Sequence, residues 1–443
     1  MKATPTTGRS QRLYRKAKGF IPGGTQLLSK RPEMFLPDLW PSYYSRARGC
    51  ELWDLDGRRY LDMSYMGIGA AVLGYADPDV DAAVRRAVSR GNMTTLNAPE
   101  EVELAEVLVR LHPWAKMVRY ARTGGEAMAM AVRIARASSG RDTVLFCGYH
   151  GWHDWYLAAN LAKDSALDGH LLPGLEPKGV PKCLRGTSFP FRYNDTDEFL
   201  RLAHRHRGRA GVVVMEPIRN KPPEPGFLEA VQRTARQRGM VLVVDEITAG
   251  WRLNPGGAHL GMGLEPDIAV FGKAMSNGYP MAAVVGKRGV MQAAQGSFIS
   301  STYWTDRIGP SASLACIEKY AALKVHRHLA KTGNAVQDGW RRLAGKHGLR
   351  ISLDGIAPLG HFGFEGEKAL ALKTLFTQEM LKRGFLATNA FYASWAHRET
   401  HLRRYFAAAD RVFGSIAACL ARGRDPEKLL SGEVCHAGFR RLI

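Results

Sequence analysis

The sequence predicts an α/β protein, with a mostly parallel sheet flanked by helices in a large domain, followed by a smaller C-terminal domain. Three observations carry this. Short apolar runs rich in β-branched residues recur at residues 143–146, 211–215, 241–244 and 268–271. Helical stretches such as residues 125–137 and 228–238 separate them. Strands that are apolar throughout and alternate with helices belong to a parallel sheet covered on both faces. After about Lys319 the pattern turns to long amphipathic helices with few strand-like segments, such as residues 349–353.

The earlier elements follow in order. Residues 12–20 read as a helix, stopped by Pro22-Gly23-Gly24. Residues 51–62 read as a β-hairpin, because Asp56-Gly57 between β-prone runs favours a two-residue turn. From Pro78 the apolar positions Val80, Ala83, Val84, Ala87 and Val88 take helical spacing. Residues 164–192 form a long connection containing Gly169, Pro173-Gly174 and Gly179, and loops of that length in compact enzymes are often lids, a plain surface excursion being the alternative.

With 443 residues, 45% of them hydrophobic, the chain can bury a large core. No apolar run reaches the roughly 18 residues of a membrane-spanning helix, and the opening segment lacks a signal-peptide pattern. A soluble, cytoplasmic protein with no membrane partner is expected. The six cysteines are widely spaced without a Cys-x-x-Cys pair, which in a reducing compartment marks small apolar fillers. The formal charge of +21 is spread along the chain, without a zinc finger, an RNP motif or a dense basic tail. Nucleic acid is therefore not an expected partner, while an acidic or phosphorylated substrate stays open.

Three polar residues directly follow apolar strands: Glu216, Asp245 and Lys273. Their spacings, 29 and 28 residues, are close to one βαβ unit each. All three therefore gather at the carboxyl edge of the sheet, where such folds bind ligands. Strand-end acids also cap following segments, but a lysine between an apolar strand and Ala-Met-Ser-Asn-Gly gains nothing structurally. A buried amine facing a buried acid is what pyridoxal 5′-phosphate (PLP) chemistry needs. Lys273 would form an imine with the cofactor aldehyde, and Asp245 would keep the pyridine nitrogen protonated. The phosphate wants backbone N–H groups at a helix start. Arg122-Thr123-Gly124-Gly125-Glu126-Ala127 opens a helix, and its two glycines allow close backbone approach to an anion.

On these residues the chain resembles the class III aminotransferases, over roughly residues 13–413. Within them it is similar to the subgroup of glutamate-1-semialdehyde aminomutase and of amino-sugar and aminoglycoside-biosynthesis aminotransferases. Thr123-Gly124-Gly125-Glu126-Ala127-Met128 is similar to the family's phosphate turn, with Gly125 where threonine is usual and one hydroxyl contact missing. Gly148-Tyr149-His150-Gly151 is similar to the motif whose aromatic residue stacks on the cofactor ring. Glu216-Pro217, Asp245-Glu246 and Phe271-Gly272-Lys273 match the acidic and lysine motifs. Ser301-Thr302 resembles the segment whose threonine reaches the phosphate of a neighbouring subunit.

The resemblance implies PLP fold type I, with a small α+β domain built from both chain ends (residues 1–75 and 319–443) and a large domain at 76–318. It implies a homodimer with shared active sites. It assigns catalysis to Lys273 and Asp245, with Gly124, Gly125, Tyr149, His150, Glu216 and Thr302 also at the cofactor. The implied activity moves an amino group from an amino acid donor to the carbonyl of a small molecule.

The aminomutase pattern carries an arginine soon after Pro-Gly-Gly; here only Lys30 or Arg31 stands near, at imperfect spacing. The C-terminal arginine that binds an α-carboxylate has no counterpart near residues 359–363. Residues 22–33, 66–69 and 150–155 look more like members acting on sugars, including aminoglycoside intermediates. Glutamate-1-semialdehyde aminomutase, a decarboxylase or epimerase, and a PLP-binding regulator are the alternatives, the last disfavoured because no helix-turn-helix extension precedes residue 12. Cys147, His150 and His153 cluster, but no distant ligand pair completes a metal set, so no metal is expected. Gly67-Ile68-Gly69 with Gly74 lacks the strand-to-helix unit of a dinucleotide site.

Overall fold

A computed structural model describes residues 8–163, 165–168, 174 and 176–438. The chain forms two compact units, Pro78–Arg327 and Met1–Asp77 with His328–Ile443.

The unit Pro78–Arg327 holds a seven-stranded sheet: β1 (Met117–Ala121), β2 (Thr143–Cys147), β3 (Ser188–Pro190), β4 (Ala210–Met215), β5 (Val241–Asp245), β6 (Ile268–Phe271) and β7 (Ala282–Gly286). Their spatial order is β1-β7-β6-β5-β4-β2-β3. Neighbours from β6 to β3 pair in parallel, and β7 runs antiparallel to both β6 and β1. Every residue of β2, β4, β5 and β6 is buried, which explains their largely apolar composition.

Alternate side chains serve opposite faces. Val144, Val212, Val214, Val243 and Val270 pack with Met128, Ala131 and Val132 of the helix Gly124–Ser139. Leu145, Val213, Leu242 and Val244 pack with Phe199, Phe227 and Val231 on the other side. Burial of this kind is worth roughly 1.5–3 kcal/mol per large aliphatic side chain.

In the other unit, Tyr44–Arg48, Glu51–Asp54, Arg59–Asp62 and Phe385–Leu386 form one sheet, so segments from both chain ends pair directly. A second sheet joins Ile351–Asp354, Leu359–Phe364 and Ala390–Tyr392.

Three local expectations change. The first helix spans Arg9–Ala17, earlier than residues 12–20, because the Asp56 carboxylate accepts from Arg9 N at 2.8 Å and anchors its start. The hairpin turn is longer than two residues: Asp54 N bonds Arg58 O at 3.0 Å, and the Asp54 side chain accepts from Asp56 N and Arg58 N, both at 2.9 Å. That carboxylate satisfies turn donors a tighter loop would have left to water. In the connection 164–192, residues 164, 169–173 and 175 lie outside the described residues, and Ser188–Pro190 is not loop but an edge strand on β2.

Candidate active site

The carboxyl edge of the sheet concentrates charge. Asp245, 3% exposed, ends β5; its Oδ1 accepts from Ile247 N at 3.0 Å and its Oδ2 lies 2.8 Å from His150 Nδ1. His150, 1% exposed, also donates from Nε2 to Cys147 O at 3.0 Å. A carbonyl only accepts, so Nε2 carries a proton, and a second proton must lie between Nδ1 and the carboxylate. The His150 imidazole thus links the last carbonyl of β2 to the carboxylate that ends β5.

Lys273 follows β6 after Gly272, with φ +44°, in a left-handed conformation that costs a side chain energy. Its Nζ donates to Thr248 Oγ1 at 2.8 Å. Burial, and after it the Arg219 cation, lower its pKa to about 8, with Asp245 and Glu216 opposing the change.

Glu216, after β4, accepts from Tyr149 N at 3.2 Å, and Arg219 Nη1 lies 3.2 and 3.3 Å from its two oxygens. Gly148 explains why this turn needs a glycine: its φ is +109°, and a Cβ there would stand 2.6 Å from Glu216 Oε2. Tyr149 is partly buried against the core and meets Tyr156 edge-to-face at 5.9 Å.

The helix Gly124–Ser139 starts beside these residues. Thr123 caps it, accepting from Glu126 N at 3.4 Å, while Glu126 returns a bond to Thr123 N at 2.9 Å. A Cβ on Gly124 would meet Ile247 Cδ1 at 2.9 Å, so the helix start packs on the segment just after Asp245. A Cβ on Gly125 would meet His153 Cε1 at 2.8 Å. The His153 imidazole thus fills the space of the usual threonine side chain, stacked on Trp152 at 4.4 Å.

The structure brings Lys273, Asp245, Glu216, Tyr149 and His150 together through this network, with Gly124 and Gly125 alongside. Thr302 is not part of it: it is exposed on the turn Thr302–Thr305, which Arg122 ties down through Trp304 O at 2.9 Å. Sequence reading missed Thr248 and Arg219, and considered His153 only as a metal ligand. Thr248 and Arg219 each stand three residues beyond a strand-end acid, a spacing that could have drawn attention. Among the described residues, no group of three or more His, Cys, Asp and Glu is placed to hold a metal, and no helix is long and apolar enough to cross a membrane.

An α/β unit with a half-buried lysine and a paired acid at the sheet edge is the architecture of fold type I PLP enzymes. The chain belongs to the class III aminotransferase family, whose sequence pattern matches residues 38–390. It is 33% identical to a glutamate-1-semialdehyde 2,1-aminomutase of Syntrophobacter fumaroxidans, over 92% of this chain and 98% of that one. It is 30% identical to a 2′-deamino-2′-hydroxyneamine transaminase of Streptomyces kanamyceticus, over 83% and 91%. The FumI protein of Sphingopyxis sp. MTA144, solved in its PLP internal aldimine form, matches with TM-score 0.85 at 24% identity, covering 95% of this chain and 99% of that one. The protein is a PLP-dependent transaminase.

Proposed function

We propose that Lys273, Asp245 and the helix start at Gly124–Gly125 form the PLP site, and that the enzyme transfers an amino group from an amino acid to the carbonyl of a small, oxidised sugar-like acceptor. The observation that carries the reading is the half-buried Lys273 amine, its pKa lowered to about 8, on the same sheet edge as the His150–Asp245 pair. The residues fit the cofactor. The two glycines keep the helix start free of Cβ atoms, and Asp245 would offer a carboxylate oxygen to a pyridine nitrogen.

When bound, PLP supplies an electron sink for a carbanion. The chain supplies the rest. Lys273 Nζ takes the proton from the substrate carbon and returns it; a pKa near 8 keeps a useful share of the amine unprotonated at neutral pH. Thr248 Oγ1 aims that amine. His150, bonded to Asp245, is a positioning residue that holds the acid's orientation and charge. Tyr149, braced by Glu216, limits ring tilt by stacking.

The working form in this reading is a homodimer in which Thr302 serves the phosphate site of a second copy. The exposure of Phe298 (88%) and Tyr303 (68%), which flank it in sequence, supports this. The neamine transaminase relative supports a sugar-type acceptor. The aminomutase relative favours a second reading, in which one substrate serves as donor and acceptor.

Absorbance titration decides between them. Purified protein should take up PLP with a lysine-linked visible band, and L-glutamate should convert that band to the amine form of the cofactor. A carbonyl acceptor should restore it. Turnover of glutamate-1-semialdehyde without any acceptor would favour the mutase. A Lys273→Ala variant that still transaminates at the wild-type rate would overturn the assignment of the lysine.

A further inference from the structure

We propose that His153 donates a hydrogen bond to the phosphate of bound PLP, its imidazole doing at the helix start what a hydroxyl on residue 125 would do. This rests on the PLP site proposed above and adds a binding residue to it.

Two close approaches place the ring. A Cβ built on Gly125 would stand 2.8 Å from His153 Cε1 and 2.9 Å from its Nδ1. A side chain at 125 and the imidazole therefore compete for one space. The backbone of residues 148–153 also lies directly on the helix start. Gly151, at φ +103°, has no room for a Cβ, which would stand 3.1 Å from Gly125 Cα. Glycine at both positions lets the two backbones meet, and His153 is thereby held against the first turn of the helix Gly124–Ser139.

That turn has donors to give, because the first N–H groups of a helix find no acceptor within it. The cap satisfies the later ones: Glu126 N bonds Thr123 Oγ1 and Ala127 N bonds Thr123 O. Gly124 N and Gly125 N are left for an anion, which the helix dipole also favours.

The imidazole has a donor to give as well. His153 Nδ1 is shut off from solvent, and no group among the described residues bonds it. Buried polar atoms are normally hydrogen-bonded, and leaving one unmet is costly. The Glu126 carboxylate does not take the part of acceptor, being committed to Arg122 N at 3.1 Å and Thr123 N at 2.9 Å. Stacking on Trp152, with centroids 4.4 Å apart and planes at 29°, fixes the ring plane. A residue that only filled space would need no nitrogen here. One that meets a phosphate does, and since phosphate oxygens accept, the imidazole meets them with its proton on Nδ1.

The test is equilibrium titration of the PLP-free full chain with pyridoxamine 5′-phosphate and with pyridoxamine, which differ only in the phosphate and form no imine with Lys273. A hydrogen bond to a charged group changes affinity by about tenfold to a hundredfold. His153→Ala and His153→Phe should each weaken binding of the phosphate ester by that factor, leave pyridoxamine binding unchanged, and move the phosphorus NMR resonance of the bound ester. The phenyl ring can still stack on Trp152 but has no N–H, so a purely space-filling role would not register that change. Gly125→Thr combined with His153→Ala should restore the affinity through a hydroxyl. Wild-type affinity for the phosphate ester in His153→Phe, or equal losses for both ligands, would overturn the proposal and leave His153 a filler beside Gly125. A wild-type chain that binds pyridoxamine as tightly as its phosphate ester would instead overturn the phosphate site at Gly124–Gly125 itself.

Discussion

Replacing Lys273 with methionine should stabilise the PLP-free protein at neutral pH. The amine titrates near 8 in the folded chain against an ordinary 10.5. That difference of about 2.5 units, at about 1.36 kcal/mol each, amounts to about 3 kcal/mol. Between pH 8 and 10.5 the unfolded chain holds a proton that the folded chain has released, so folded stability rises with pH through that window. The deficit is full below pH 8. Lys273→Met removes it, less about 1 kcal/mol for the lost bond to Thr248. Urea denaturation of both PLP-free proteins at pH 7 and pH 10.5 should give a gain of about 2 kcal/mol at pH 7 that turns into a loss of up to about 1 kcal/mol at pH 10.5. A variant less stable at pH 7, or a gain independent of pH, would refute the reasoning. The same shift predicts that PLP uptake by the wild-type apoprotein rises with pH to a midpoint near 8, where an ordinary lysine would be only about 0.3% neutral.

Two further outcomes follow from packing and burial. Gly125→Thr restores the residue usual at this turn but drives a Cβ to 2.8 Å from His153 Cε1, so PLP affinity in equilibrium titration should fall about tenfold; adding His153→Ala should recover it. His112 and His397 each donate from one ring nitrogen to a carbonyl and accept a backbone N–H at the other, and burial lowers both to about 4. The unfolded residues take up protons below about 6.5, so stability should fall by about 3 kcal/mol for each as pH drops from 6.5 to 4, and His112→Asn or His397→Asn should flatten that slope in acid-denaturation curves.

Much of the scaffold was legible from local pattern. Runs such as residues 211–215 are apolar on both faces only because both faces are covered, and that composition is written in the chain. The sheet edge was legible for the same reason: Glu216, Asp245 and Lys273 interrupt apolar runs at βαβ spacing, and polar residues at strand ends are placed by topology rather than by side-chain detail. The glycines of the helix start were readable because a helix start without Cβ atoms lets backbone N–H groups approach an anion closely.

Partner choice was not legible, because it depends on which side chains meet after the chain has folded. The residue His150 appeared as part of a cofactor motif, but its bond to Asp245 spans 95 residues and depends on β2 and β5 placing both at one edge. The hydroxyl that holds Lys273, the guanidinium on Glu216 and the imidazole filling the space beside Gly125 are likewise set by distances of a few ångströms. The sequence by itself determined the sheet, its edge and the place of the lysine and the acid on it, since periodicity and strand-end position encode these. Only the tertiary structure decided which groups surround the lysine, since hydrogen bonding and charge act through space and not along the chain.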